Sequence, residues 1–251
     1  MRDILIKNKF DEELDVVIEG NNDAETTIVF VHGFGMQKDE TDHYFVDISN
    51  ALKDMYRIVR FDFSGYGVSQ GKQEESDFKK QASDLEHILK WVLGNFKGNI
   101  YIVAHSLGCF VTAFLSPDFV KKNVFTSIPN AGSDLVIRRL EQYFEAKPGA
   151  KIVEDKISFI PRSTGEIQKI GQSFWSIFHS FKPIEKITRL SKKTKLLVIK
   201  QLQDEIFGTE CFEDYKKIPG IVYVEVNGNH SFKNPLERYD MIERIKLFID
   251  S

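Results

Sequence analysis

Ser106 is the residue of this sequence whose setting best suits nucleophilic chemistry. Residues 98–103 before it form a short apolar, β-branched run that predicts a buried strand, and residues 109–115 after it predict a helix with a largely apolar surface. A serine between a buried strand and a helix sits on a sharp turn, which needs small neighbours such as Ala104 and Gly108. The turn would point the hydroxyl out of the sheet edge, and the helix would aim backbone N–H groups at whatever the serine attacks.

A serine hydroxyl is a poor nucleophile near neutral pH, so it needs a base, and the base needs an orienting carboxylate. The sequence offers six histidines as candidate bases. His105 adjoins the serine but should point the other way along its strand. Four others lie before a glycine turn, in helical stretches or in the irregular middle of the chain, namely His32, His43, His87 and His179. His230 differs, because it follows the last predicted strand in a glycine-containing loop ahead of the last helix.

The elements that must position these residues alternate between strand and helix after an opening hairpin. Strands are predicted at residues 4–7, 14–18, 26–31, 57–62, 98–103, 124–128, 195–199 and 221–226. Helices are predicted at residues 42–53, 78–93, 109–115, 210–217 and 236–249. Such alternation indicates parallel strands joined by right-handed crossovers, with helices on both faces of one sheet. The predicted fold class is therefore α/β, with a mostly parallel eight-stranded sheet.

The stretch around Ser106 resembles the nucleophile elbow of the α/β-hydrolases, Gly-x-Ser-x-Gly, with Ala104 in place of the first glycine. The resemblance covers nearly the whole chain outside its middle and implies the α/β-hydrolase fold. The loop of His230 resembles the base loop of that family, which makes His230 the expected base. Asp204, in the loop after the seventh strand, fits the slot of the family's acid, so the chain order is serine, aspartate, histidine.

Three other residues bear on the choice of acid. Gln201 stands where members of the family usually have glycine before the acid. Glu205 comes one position late for the acid slot, and Asp134, after the sixth strand, occupies a less common location for the acid.

The segment His32–Gly33–Phe34–Gly35 follows the third strand, and its two glycines let the backbone turn tightly and approach a substrate. The resemblance implies an oxyanion hole formed by the backbone N–H groups of Phe34 and Leu107. Residues expected around the substrate are His32, Gly33, Gly35, His105, Phe174, Trp175 and Phe178.

Residues 133–181 interrupt the alternation between the sixth and seventh strands. They contain a helical piece at 135–144, a hairpin-like pair at 151–153 and 157–160, and a second helical piece at 172–181. In α/β-hydrolases a cap over the site is inserted here, and the many aromatic residues of the segment favour a cover for an apolar site over a surface excursion. We expect a core domain of residues 1–132 and 182–251 and a cap of residues 133–181.

The chain resembles in particular the small hydrolases grouped with serine aminopeptidase-like lipases and with feruloyl or cinnamoyl esterases. The resemblance implies a carboxylic ester hydrolase that acts on short-chain or hydroxycinnamoyl-type esters through an acyl-enzyme on Ser106. An aminopeptidase, a thioesterase, a lipase-type enzyme and a carbon–carbon bond hydrolase use the same fold and stay open. A binding protein with an idle triad is a further alternative.

Composition limits the partners and cofactors. The formal net charge is −3, with 34 basic against 37 acidic residues, which argues against a nucleic-acid binder. The sequence has two cysteines that are not closely spaced, lacks the apolar core of a signal peptide and has no apolar run long enough for a membrane span, which predicts a cytoplasmic protein. The glycine-rich residues 65–71 nearly match a dinucleotide fingerprint, but their third glycine is one position late, so we expect no nucleotide, other cofactor or metal. The expected partner is a small ester, and a homodimer stays open.

Overall fold

The computed structural model of the protein describes residues 1–162 and 165–251, with the side chain of Ser133 outside the description. Its strands are β1 (Arg2–Lys7), β2 (Glu13–Gly20), β3 (Thr26–Val31), β4 (Arg57–Phe61), β5 (Asn99–His105), β6 (Lys122–Thr126), β7 (Ser158–Pro161), β8 (Ile167–Ile170), β9 (Lys195–Gln201) and β10 (Ile221–Val226). Its helices are α1 (Tyr44–Leu52), α2 (Phe78–Asn95), α3 (Leu107–Leu115), α4 (Ser133–Glu145), α5 (Gln172–Ser180), α6 (Pro183–Ser191), α7 (Glu213–Lys216) and α8 (Pro235–Asp250). Among these helices, none combines the length and the apolar character that a bilayer crossing requires.

Eight strands form one sheet in the spatial order β1-β2-β4-β3-β5-β6-β9-β10. The opening hairpin β1–β2 is antiparallel and joins β4 in antiparallel register, whereas all other neighbours pair in parallel. This sheet confirms the predicted α/β architecture. Because β3, β5, β6 and β9 are neighbours, their carboxyl ends meet at one edge of the sheet, which is where open α/β sheets bind their ligands.

The central strands are apolar at consecutive positions because both faces of the sheet are covered. In β3, Ile28 and Phe30 belong to the core that α1 and α8 close. Val29 and Val31 belong to the opposite core, which α2 and α3 close. The carboxyl edge of the sheet is therefore held between two packed layers, and side chains placed there have little freedom to move.

The chain between β6 and β9 contains α4, the antiparallel hairpin β7–β8, α5 and α6. The hairpin differs from the prediction, because β7 pairs with Ile167–Ile170 and not with residues 151–153. Lys151 forms only an isolated bridge with Phe159. The ladder stops there because the Val153 N–H donates to the side-chain Oγ of Ser158, at 2.8 Å, instead of to a main-chain carbonyl.

Candidate active site

Ser106 lies on a sharp turn between β5 and α3. Its backbone has φ 53° and ψ −129°, a region that side-chain-bearing residues rarely adopt and that costs about 1–3 kcal/mol. The turn is fixed from β6, since the Ser106 N–H donates to the carbonyl of Thr126 at 2.9 Å. A Cβ at Gly108 would lie 2.5 Å from the carbonyl oxygens of both Val31 and His32, so only glycine lets α3 start this close to β3.

His230 lies between Ser106 and Asp204. Its Nε2 is 3.0 Å from the Ser106 Oγ, and its Nδ1 is 3.0 Å from Oδ2 and 3.2 Å from Oδ1 of Asp204. An ionised carboxylate only accepts hydrogen bonds, so the ring proton resides on Nδ1. The Nε2 lone pair is then free to accept the hydroxyl proton of Ser106, which is the geometry that a general base requires.

The carboxylate of Asp204 is held by groups from its own loop and strand. Its Oδ1 accepts the main-chain N–H groups of Ile206 and Phe207, at 2.8 and 2.9 Å, and its Oδ2 accepts the side-chain amide of Gln201. Gln201 is buried at the end of β9, so the residue that replaces the family's glycine is itself part of the site. The sequence analysis noted Gln201 as a departure from the family's glycine, but it did not predict that the Gln201 side chain donates a hydrogen bond to Asp204.

The buried pair of Asp204 and His230 shifts both groups toward their charged forms. Burial would raise the pKa of Asp204, but the charge and hydrogen bond of His230, with the two main-chain donors, hold that pKa below its usual value. Burial would likewise lower the pKa of His230, but the adjacent Asp204 carboxylate raises that pKa above the ordinary value. The carboxylate is therefore ionised at neutral pH and stabilises an imidazolium when one forms.

The loop that carries His230 is fixed through its main chain. The Ser127 hydroxyl donates to the carbonyl of His230 at 2.6 Å, and Arg238 donates to the carbonyls of Ser231 and Phe232. Glu205, an alternative acid, accepts the main-chain N–H of His230 at 2.9 Å and does not bond its ring. Asp134, the other alternative, is exposed in the first turn of α4.

Phe34 and Leu107, whose main-chain N–H groups are the expected oxyanion donors, line the same cavity as Ser106. Among the described residues, neither the Phe34 N–H nor the Leu107 N–H has a hydrogen-bond partner within the chain. Leu107 is the first residue of α3, where N–H groups are free and the helix dipole favours negative charge. A Cβ at Gly33 would lie 2.9 Å from the Cβ of Ser106, so the loop of Phe34 approaches the serine as closely as glycine permits.

Glu40 is a site residue that the sequence analysis missed. It is buried on the cavity wall, its Oε1 accepts the Gly33 N–H, and its Oε2 has no partner among the described residues. Burial raises the pKa of Glu40 to about 7, against the opposing effect of the Gly33 N–H. Glu40 belongs to no recognisable motif or periodic pattern, so the sequence did not indicate that its carboxylate lies at the cavity. Its backbone has φ 59°.

Of the two histidines that were expected around a substrate, His105 lines the cavity and His32 does not. His32 turns away from the cavity: its Nε2 accepts the Phe63 N–H at 3.0 Å, and its Nδ1 donates to the Gly33 carbonyl at 2.9 Å. It ties the loop after β3 to the loop after β4. His105 borders the cavity, but its ring packs on Tyr44 with centroids 4.7 Å apart. Burial lowers the pKa of both rings, so both stay neutral.

A cavity of about 220 Å³ opens in front of Ser106. Its apolar wall includes Phe34, Leu140, Tyr143, Phe144, Ile206 and Phe207. Gly33 lines the cavity, as expected, whereas Gly35 does not and instead offers its carbonyl to Arg162.

The aromatic residues of α5 do not line the cavity, which differs from the expectation for Phe174, Trp175 and Phe178. The ring of Phe174 packs on Phe34 and Phe78, with centroids 4.7 and 5.5 Å apart, and Phe178 also packs on Phe78. Trp175 is buried and donates from Nε1 to Ser158. Phe174 and Phe178 attach residues 133–181 to α2, and the part of the cavity wall that this segment supplies comes mainly from α4.

Comparisons with known proteins agree with this architecture. Residues 26–155, just over half of the chain, match the family model described as alpha/beta hydrolase fold. Est1E from Butyrivibrio proteoclasticus, solved with ferulic acid bound, superimposes with a TM-score of 0.77 at 17% identity, over 98% of this chain and 97% of that one. The Pyrococcus furiosus esterase Pf2001 gives 0.75 at 18% identity, over 99% of this chain and 89% of that one.

A further solved structure, the enol-lactonase from Burkholderia xenovorans LB400, gives a TM-score of 0.71 at 14% identity, over 99% of this chain and 100% of that one. A curated relative, the biotin biosynthesis bifunctional protein BioHC of Teredinibacter turnerae, is 31% identical over 91 residues, which span 36% of this chain and 15% of that protein. The family match, the sheet order and the strand-to-helix turn at Ser106 agree, and this chain belongs to the α/β-hydrolase fold family.

Proposed function

We propose that this protein is a serine hydrolase that cleaves carboxylic esters through an acyl-enzyme on Ser106. The observation that carries the proposal is the continuous hydrogen-bonded series from Ser106 Oγ through the ring of His230 to Asp204. The series ends beside a cavity that Phe34 and Leu107 also line, and the main-chain N–H groups of these two residues have no partner in the described part of the chain.

In the first step, the Ser106 Oγ attacks the ester carbonyl while His230 Nε2 takes the hydroxyl proton. The carbonyl oxygen becomes an oxyanion, which the Phe34 and Leu107 N–H groups stabilise. The imidazolium then gives its proton to the departing alcohol oxygen, the carbon–oxygen bond breaks, and the acyl group remains on Ser106. Asp204 stays ionised throughout and offsets the positive charge of the ring.

In the second step, water attacks the acyl carbonyl, and the same ring nitrogen accepts a proton from that water. A second oxyanion forms in the same N–H site and collapses, and the proton on His230 returns to Ser106. The carboxylic acid leaves and the enzyme is restored.

The ester class is supported by the shape of the site and by the names of similar proteins. The cavity of about 220 Å³ is below the roughly 300 Å³ at which pockets for drug-sized ligands begin, so it suits a short-chain or single-ring acyl group. Among the similar structures, Pf2001 is named an esterase, Est1E was solved with ferulic acid bound, and a third is named an enol-lactonase, and a lactone is a cyclic ester. Residues 133–181 would act as the cap, since they supply Leu140, Tyr143 and Phe144 to the wall.

The test is hydrolysis of 4-nitrophenyl butyrate by the wild type and by Ser106→Ala. We expect the alanine variant to lose at least about 10³-fold in kcat/KM, because the nucleophile is removed while the fold is kept. A fluorophosphonate probe should label wild type at Ser106 only. Equal rates for the two proteins would overturn the proposal, as would labelling elsewhere.

A panel of an aryl ester, an acyl thioester and an aminoacyl amide compares the reaction classes. We expect the ester to give the highest kcat/KM of the three. A higher value for the thioester or the amide would reassign the reaction while keeping the catalytic residues.

A further inference from the structure

Two cations from the segment 133–181 line the cavity in front of Ser106. Lys147 follows α4, and Arg162 follows β7. Both side chains are half-buried. Within residues 1–162 and 165–251, no carboxylate forms an ion pair with either of them. Half-buried cations without a counter-charge are unfavourable, because burial removes water that would otherwise solvate them.

Arg162 is held in place by neutral acceptors. Its Nη1 donates to the Oε1 of Gln168 at 3.0 Å, and its Nη2 donates to the carbonyl of Gly35 at 3.1 Å. Gln168 is itself 3% exposed, so the acceptor is rigidly packed. The guanidinium is thus oriented without being neutralised, and its anchor on Gly35 places it beside the loop that carries the Phe34 N–H.

Lys147 adds a second positive charge to the same wall. Its Nζ lies over the ring of Tyr143, 4.7 Å from the ring centroid. Burial lowers the pKa of this lysine, and the positive charge of Arg162 lowers it further. Two like charges on one cavity wall repel until an anion lies between them.

The other charged groups of the cavity are already engaged. Glu205 accepts the main-chain N–H of His230, and Glu40 accepts that of Gly33. Lys233 pairs with Asp42 at 3.5 Å. These N–H donors are uncharged, so they do not cancel the charge of a carboxylate, and the charge of Arg162 helps to lower the pKa of Glu40. Of the cavity cations, Arg162 and Lys147 are those that have no ion-pair partner among the described residues.

We propose that the ester cleaved at Ser106 carries a second, anionic carboxylate, which binds between Arg162 and Lys147. This inference rests on the proposed ester hydrolysis and narrows its substrate class. The small cavity limits the distance between the carboxylate and the scissile carbonyl to a few carbon atoms. An arginine with a fixed plane binds a carboxylate through paired N–H donors, and a lysine supplies a second point of charge.

The experiment compares esters that differ only in this charge. Mono-4-nitrophenyl glutarate carries the carboxylate on the acyl side, and 4-nitrophenyl valerate is its neutral counterpart. The ester 4-butyryloxybenzoate carries the carboxylate on the alcohol side, and its methyl ester is the neutral counterpart. We expect wild type to prefer the anionic member of at least one pair by about 10- to 100-fold in kcat/KM, the range of charge-assisted hydrogen bonds.

Arg162→Gln and Lys147→Gln should each reduce this preference about tenfold or more, expressed as the ratio of kcat/KM within a pair. Lys90→Gln removes the same charge from the exposed surface of α2 and should leave the ratio unchanged. A wild-type ratio near one in both pairs, or a ratio that neither cavity variant changes, would overturn the inference while the esterase assignment stands. Failure to hydrolyse any of the four esters would overturn both.

Discussion

Replacing Asp204 with asparagine changes one atom in the hydrogen-bonded series at the site. The Oδ1 position accepts two main-chain N–H groups, those of Ile206 and Phe207, so the amide oxygen of asparagine must occupy it. The new NH₂ group then takes the position of Oδ2, which lies 3.0 Å from His230 Nδ1. A donor replaces an acceptor at that contact.

The substitution should therefore select the wrong tautomer of His230. Because the new NH₂ donates to Nδ1, the ring proton moves to Nε2, where it blocks acceptance of the Ser106 proton. The fold should tolerate the change, since the amide of Gln201 can rotate and present its Oε1, which lacks a partner among the described residues. We expect kcat/KM to fall about 10³- to 10⁴-fold, or about 4–5.5 kcal/mol of transition-state stabilisation.

The assay is hydrolysis of 4-nitrophenyl butyrate at pH 7, with thermal unfolding as the check on folding. Glu205→Gln is the matched control, because it neutralises the adjacent carboxylate, whose hydrogen bond to His230 is to the main-chain N–H and not to the ring. We expect that variant to stay within about tenfold of wild type. A loss below tenfold for Asp204→Asn, or equal losses for the two variants, would refute the reasoning.

Two further predictions concern pH and packing. Neutral His230 must accept the serine proton, so kcat/KM should rise with pH through the pKa of that ring, which Asp204 raises against the effect of burial. Besides Asp204, the carboxylates of Glu205 and Glu40 also raise this pKa. Glu40→Gln removes one of these charges, so the midpoint of the pH–rate profile should move to lower pH; an unmoved or higher midpoint contradicts this. Gly108→Ala places a Cβ 2.5 Å from two carbonyl oxygens and should lower the free energy of unfolding in urea by about 1–3 kcal/mol. Gly94→Ala in α2, where a Cβ meets nothing within 4 Å, should instead raise it by about 0.5–1 kcal/mol, and equal effects of the two variants would contradict the packing argument.

The sheet was predictable because each central strand is a continuous apolar run with a turn at its end. The runs that became β3 and β5 end at His32 and Ser106, so sequence placed both at the carboxyl edge. The contact between residues 106 and 230 followed from the resemblance and not from periodicity, because the residues are 124 positions apart.

The cavity wall was not predictable for a different reason. The apolar residues of α5 and of α4 have the same helical spacing, and spacing does not reveal which apolar neighbour a helix meets. Phe174 packs on Phe78 of α2, whereas Phe144 faces the serine. The end of the bridge at Lys151 was likewise not visible in the sequence, because the Val153 N–H donates to the side chain of Ser158 and not to a main-chain carbonyl.

The positive φ of Ser106 has a consequence for how this chain tolerates change. Glycine adopts a positive φ without steric cost, so glycine would relieve the backbone strain at this position, but glycine has no hydroxyl group. Thermal stability and catalytic chemistry are thus opposing demands at position 106. Mutations selected for stability alone would tend to remove the nucleophile.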